Sequence, residues 1–145
     1  KISVALVFAS SNMGDMDETG FPVETAKPKI FQVLQNILGP TPFLQAKAGI
    51  WTTTIIENIL KELKEINDES AKAGQHDEEM GQLWKFVVTC HLQQKTGAGM
   101  SSATCCYWDS ENDGHFSVNF DNTGFDEKVG TDAIEASVTV YFVAL

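Results

Sequence analysis

The sequence predicts an α+β fold, because two helical patterns in the first half of the chain give way to a series of alternating, strand-like stretches. Apolar residues recur at helical spacing at Ile30, Leu34, Ile37 and Leu38, and again from Trp51 to Ile66. From Trp84 the period drops to two. Trp84, Phe86, Val88, Cys90 and Leu92 fall on one face, and Lys85, Thr89, His91 and Gln93 on the other. With 145 residues, 43% of them apolar and 10% aromatic, the chain suits one domain with its own core.

The first residues, ISVALVFAS behind a single Lys, admit three readings. They are a short secretory signal, a leader preceding a start at Met13-Gly14, or a strand with Ile2, Val4, Leu6 and Phe8 on one face. Residues 1–20 are therefore set apart as a flexible or extraneous segment, and 21–145 form the expected domain. Myristoylation at Gly14 fails, because Glu18 stands where Ser or Thr is required. Asp15 to Val23 is acidic and turn-like. Pro28 suits the first turn of a helix, where its missing amide proton costs nothing, and Gly39-Pro40 ends that helix.

Pro42 sets off the second helix, whose broad apolar face carries Trp51, Ile55, Ile56, Ile59, Leu60, Leu63 and Ile66. Glu57 with Lys61, and Lys61 with Glu65, are charge pairs on its solvated face. Asn67 to Leu83 is polar, contains Gly74, Gly81 and Asp77-Glu78-Glu79, and reads as an exposed loop. After the strand at Trp84, Met100 to Trp108 alternates without polarity. Met100, Ser102, Thr104, Cys106 and Trp108 lie on one side and Ser101, Ala103, Cys105 and Tyr107 on the other, so simple amphipathic burial does not place this strand. Phe116, Val118 and Phe120 mark a third strand. A loop from Asn122 to Asp132 delays the last, carried by Ile134, Ala136, Val138, Val140 and Phe142.

Trp51-Thr52-Thr53, the run Phe86 to Cys90 (FVVTC), Gln94 to Gly99 (QKTGAG), Tyr107 to Ser110 (YWDS) and Asp113-Gly114 come in an order and spacing that resemble the Tctex-type dynein light chains. The resemblance implies two helices packed on a four-stranded antiparallel sheet, in a homodimer that exchanges its second strand. It also implies a non-catalytic adaptor on the dynein motor that needs no cofactor. The partner it implies is the disordered amino-terminal region of the dynein intermediate chain, with some members tethering cargo instead. The implied location is cytoplasmic and microtubule-associated, in transport or in the motility of a cilium or flagellum.

Composition narrows the alternatives. Twenty acidic residues against 10 basic ones give a formal charge of -10, which argues against nucleic acid, whose binding depends on neutralising phosphates with Lys and Arg. No stretch is long enough to span a membrane. Three cysteines, two of them adjacent, do not make the paired framework of a secreted disulfide domain, so a reducing compartment is expected.

Asp109 to Gly114 resembles half a calcium loop, but Phe120 stands where the closing Glu belongs, and a hairpin turn explains it better. Lys95 precedes the glycines at 97 and 99 rather than following them, so the phosphate-loop pattern is not met. Cys90, His91, Cys105, Cys106 and His115 lack the spacing of a zinc site, and Cys90 and His91 face apart on a strand, which removes that nucleophile and base pair. No metal or catalytic residue is expected.

The expected site is therefore a strand edge, where an extended partner adds by backbone hydrogen bonds. Its residues are Gly99, Met100, Ser101, Ser102, Ala103, Thr104, Cys105 and Cys106, with Trp108 buried in the dimer contact. One rival reading is a non-motor binding module with an apolar pocket at Trp51, Tyr107 and Trp108. Another is a small hydrolase that uses a cysteine.

Overall fold

A computed structural model describes residues 2–8, 20–73, 83–127 and 129–145, with only the backbone of residues 2–8. Its elements are β1 (Ile2–Phe8), α1 (Val23–Leu38), α2 (Gln45–Ala73), β2 (Trp84–Gln94), β3 (Ala103–Asp109), β4 (Gly114–Asp121) and β5 (Ile134–Ala144). The fold is α+β, with two helices on one face of an antiparallel sheet.

The core forms where the two periodicities meet. Ile30, Leu34 and Leu38 of α1 and Ile55, Ile59, Leu63 and Ile66 of α2 are buried against Phe116, Val118 and Phe120 of β4 and against Ile134, Ala136, Val138, Val140 and Phe142 of β5. Each of these large side chains contributes about 1.5 to 3 kcal/mol by leaving water. The helix-facing side of β5 is fully buried from Ile134 to Phe142 because it is the central strand, with β2 and β4 on either side. On β2, an edge strand, Trp84 is buried while Phe86, Val88, Cys90 and Leu92 are only partly covered.

Several boundaries depart from expectation. Helix α1 begins at Val23, which puts Pro28 inside it rather than in its first turn; both Pro28 and Glu24, whose carbonyl loses a donor there, lie on the exposed side. Helix α2 begins at Gln45, so Trp51-Thr52-Thr53 lies in its second turn. Thr52, Thr53 and Thr54 each donate a hydroxyl hydrogen bond to a carbonyl four residues back, at 3.1, 3.0 and 2.8 Å. The helix also continues through Asn67 to Ala73, where a loop was expected. Gly74, Gly81 and the acidic run at 77–79 lie outside the described residues, as do Met13, Gly14 and Glu18.

The larger correction concerns the sheet. Four strands were expected in it, but among the described residues three join, in the order β2-β5-β4. The expected second strand, β3, instead pairs antiparallel with β1 as a separate two-stranded ribbon. Asp109 to Gly114 is accordingly a turn, but not the turn of a hairpin, because β3 and β4 are not paired with each other.

Candidate partner-binding edge

Two anchors lead the chain away from the sheet and back. At the end of β2 the Lys95 amide donates to the Ala133 carbonyl at 2.8 Å, while its ammonium pairs with Asp121 and donates to Thr123 Oγ1 at 3.2 Å. Donating a hydrogen bond to Asp121 raises the Lys95 pKa; on Asp121 itself, desolvation is outweighed by the hydrogen bonds from Lys95 and Thr123, and its pKa falls. Gly97 then turns the backbone at φ 80°, a conformation open to glycine at little cost. At the far end, the Asp109 amide donates to Asp113 Oδ2 at 2.9 Å, and the Ala144 amide to Asp113 Oδ1 at 2.8 Å. The side-chain amide of Asn112 and the backbone amide of Glu111 hold the Asp109 carboxyl below its usual pKa. These carboxylates are thus spent on closing a turn.

Between the anchors β3 keeps one edge free, its other edge being paired with β1. Gly99, Met100 and Ser101 are exposed and precede β3, and Ser102 beside them is partly covered. Ala103, Thr104, Cys105 and Cys106 lie in β3, and of these four Cys106 alone is partly covered. Tyr107 is 75% exposed and Met100 56%; Val87, on the open edge strand β2, is 59% exposed. Of the site residues expected from sequence, Gly99 to Cys106 are exposed at their side chains except at Ser102 and Cys106.

Trp108 is placed differently from the rest. Its ring lies 6.2 Å from those of His115 and Tyr141, on the sheet face opposite the helices, and is half-buried within a single chain. Tyr141, which alternation assigns to the solvent side, is buried beneath this cluster. Trp51 packs against the helix-side core, so Trp51 and Trp108 do not line a common pocket.

Burial in the cluster lowers the His115 pKa from 6.5. The unfolded chain therefore takes up a proton at a higher pH than the folded one, so the stability from neutral His115 is complete above 6.5 and is lost as pH falls toward the lower folded value. The melting temperature should thus fall between about pH 7.5 and pH 5.5, and His115→Gln should flatten that fall. An unchanged slope in the variant would assign the effect to other groups.

Two of the thiols, Cys90 and Cys106, are poor nucleophiles. Burial pushes Cys90 up to about 11 and also raises Cys106, with Cys105 adding to the latter. Among the described residues, no three His, Cys, Asp or Glu side chains converge as a metal site, and no helix is long and apolar enough to cross a membrane.

The Tctex-1 family profile matches residues 20–143, which takes in both helices, β2 to β4 and all of β5 but its last residue. The chain belongs to the Tctex-1 family. It is 33% identical over 102 residues to "Dynein light chain Tctex-type" of Dictyostelium discoideum, covering 70% of this chain and 80% of that protein. It is 28% identical over 106 residues to "Dynein light chain Tctex-type 3" of Homo sapiens, covering 73% and 79%. The Drosophila melanogaster "Dynein light chain Tctex-type" is 26% identical over 106 residues, covering 73% and 83%. Within this Tctex-1 chain, β1 is the one described strand outside the matched stretch.

Proposed function

We propose that this chain is a non-catalytic dynein light chain, a dimeric adaptor whose exchanged β3 strand receives an extended segment of the dynein intermediate chain, or of cargo. Its place is then the cytoplasmic, microtubule-associated motor, in transport or in ciliary motility. The observation that carries this reading is the position of β3, a strand of the family-matched region that has left its own sheet. A two-stranded ribbon is marginal on its own. The open edge of β2 in a second copy offers β3 a longer sheet, and reciprocal exchange makes a closed, two-fold pair. That pairing would also cover the exposed Val87 and Tyr107.

Thr104→Pro tests both halves of the reading, because it removes a backbone donor near the start of β3 without touching the helix-packed core. Light scattering of the unsubstituted chain should report twice the 15.9 kDa of one copy, and the variant a single copy. The variant should also lose retention of a dynein intermediate chain amino-terminal fragment, whereas side-chain truncation at Ser101 or Ser102 should weaken it only modestly. A monomeric Thr104→Pro protein with full affinity would move the site elsewhere, with the α2 face at Glu57 and Lys61 the next candidate.

A further inference from the structure

Strand β1 lies outside the region shared with the family, yet it pairs with β3 along the whole of that strand. Ile2 lies opposite Asp109, Val4 opposite Tyr107, Leu6 opposite Cys105 and Phe8 opposite Ala103. A strand has only two hydrogen-bonding edges. Once a second copy takes one edge of β3, the other is where an extended partner adds, and that is the edge left for β1. We infer that β1 is a built-in occupant of the acceptor edge, a segment of the same chain that competes with the partner for β3. The inference rests on the edge-addition reading above and adds to it a means of regulation.

The chemistry suits a placeholder. Ile2 to Phe8 carries no charge and is apolar except at Ser3, so it can form strand ladders without demanding charged partners. Strand addition draws its affinity mainly from the backbone, so such a segment can satisfy the edge that a partner of different sequence would use. Tethering supplies β1 at an effective concentration on the order of millimolar, enough to hold back a free segment of moderate affinity. Because β1 pairs with β3 alone, its displacement leaves the three-stranded sheet intact. An occupied edge is also protected from indiscriminate strand pairing until a stronger binder arrives.

The test uses a fluorescent synthetic peptide with the sequence of residues 2–8, flanked by lysines for solubility, and measures its anisotropy with the chain and with a Val4→Pro/Leu6→Pro variant. The prolines remove donors from β1 and leave the sequence of β3 intact. The variant should bind the peptide at least about tenfold more tightly. Equal affinity in the two proteins, or no binding by the variant, overturns the inference.

Thr104→Pro in each background separates this failure from failure of the adaptor reading. Equal binding that Thr104→Pro abolishes leaves β3 as the acceptor and removes only β1 as competitor. Equal binding that survives Thr104→Pro places the peptide off β3 and removes both. Hydrogen exchange on the unsubstituted chain adds a reading that needs no variant. Amides of residues 2–8 should be slowed relative to an unstructured segment and should lose protection when excess peptide is added, whereas unslowed exchange overturns the inference.

Discussion

Phe21→Ala should lower the stability of the folded chain by about 3 to 5 kcal/mol, as large-to-small changes at buried aromatic positions do. Phe21 is 4% exposed, although it sits just before α1 and outside the regular elements. Its ring stacks on Phe142 at 4.6 Å and on Phe116 at 6.1 Å, and meets Trp84 and Phe86 edge-on at 5.2 and 5.6 Å. It therefore joins all three strands of the sheet beneath the start of α1. Truncation removes these contacts and leaves a cavity that the surrounding strands, fixed by their ladders, cannot close. Phe21→Leu should recover part of the loss by refilling some of that volume. Urea unfolding decides the matter, and a loss under about 1 kcal/mol for Phe21→Ala would make the residue peripheral to the core.

Phe21 also shows where the sequence stops being legible. The helix stripes and the faces of β4 and β5 could be read because periodicity forces many residues to agree; the buried sets match those faces except at Leu60, which is exposed, and at Ile37, Trp51 and Ile56, which are partly buried. A single aromatic in an acidic, turn-like stretch has no period to announce it. Val129 is buried inside the loop from Asn122 to Asp132 for the same reason. The helical end of α2 was hidden differently: Asn67 to Ala73 is polar, yet Glu69, Ala71 and Lys72 favour helix, and Asn67 Oδ1 accepts the Trp84 amide at 3.0 Å, tying the helix to β2.

At the candidate site, the residues were legible but their pairing was not. Alternation marked β3 as a strand whose two faces do not define a core side, and the structure places most of it in the open. Which strand it pairs with depends on contacts distant in sequence, and β1 was only one of three readings for its segment. The outer-face cluster was missed because alternation puts His115 and Tyr141 among solvent-facing positions. Only the path of β3 brings Trp108 over them.

Asn122→Ala should cost about 2 to 4 kcal/mol, because it leaves several buried backbone groups without partners. Asn122 is fully buried, and its side-chain amide donates to the Gly39 carbonyl at 3.1 Å and the Thr41 carbonyl at 2.8 Å. Its Oδ1 accepts the Ile134 amide at 2.7 Å. One side chain thus ties the connection between the helices to the junction where β4 ends and β5 begins. Alanine orphans the Ile134 donor and takes a donor from both carbonyls, and no backbone group can move in to replace them. Asn122→Asp separates hydrogen bonding from packing, since it keeps the shape and the acceptor but turns an oxygen toward two carbonyls. At neutral pH Asn122→Asp should be at least as damaging as alanine. Its deficit should shrink in acid, where a protonated carboxyl can donate again. Guanidinium titrations of the three proteins at neutral and mildly acidic pH supply the comparison. If Asn122→Asp were as stable as the unsubstituted chain at neutral pH, the amide donors would not be holding this junction.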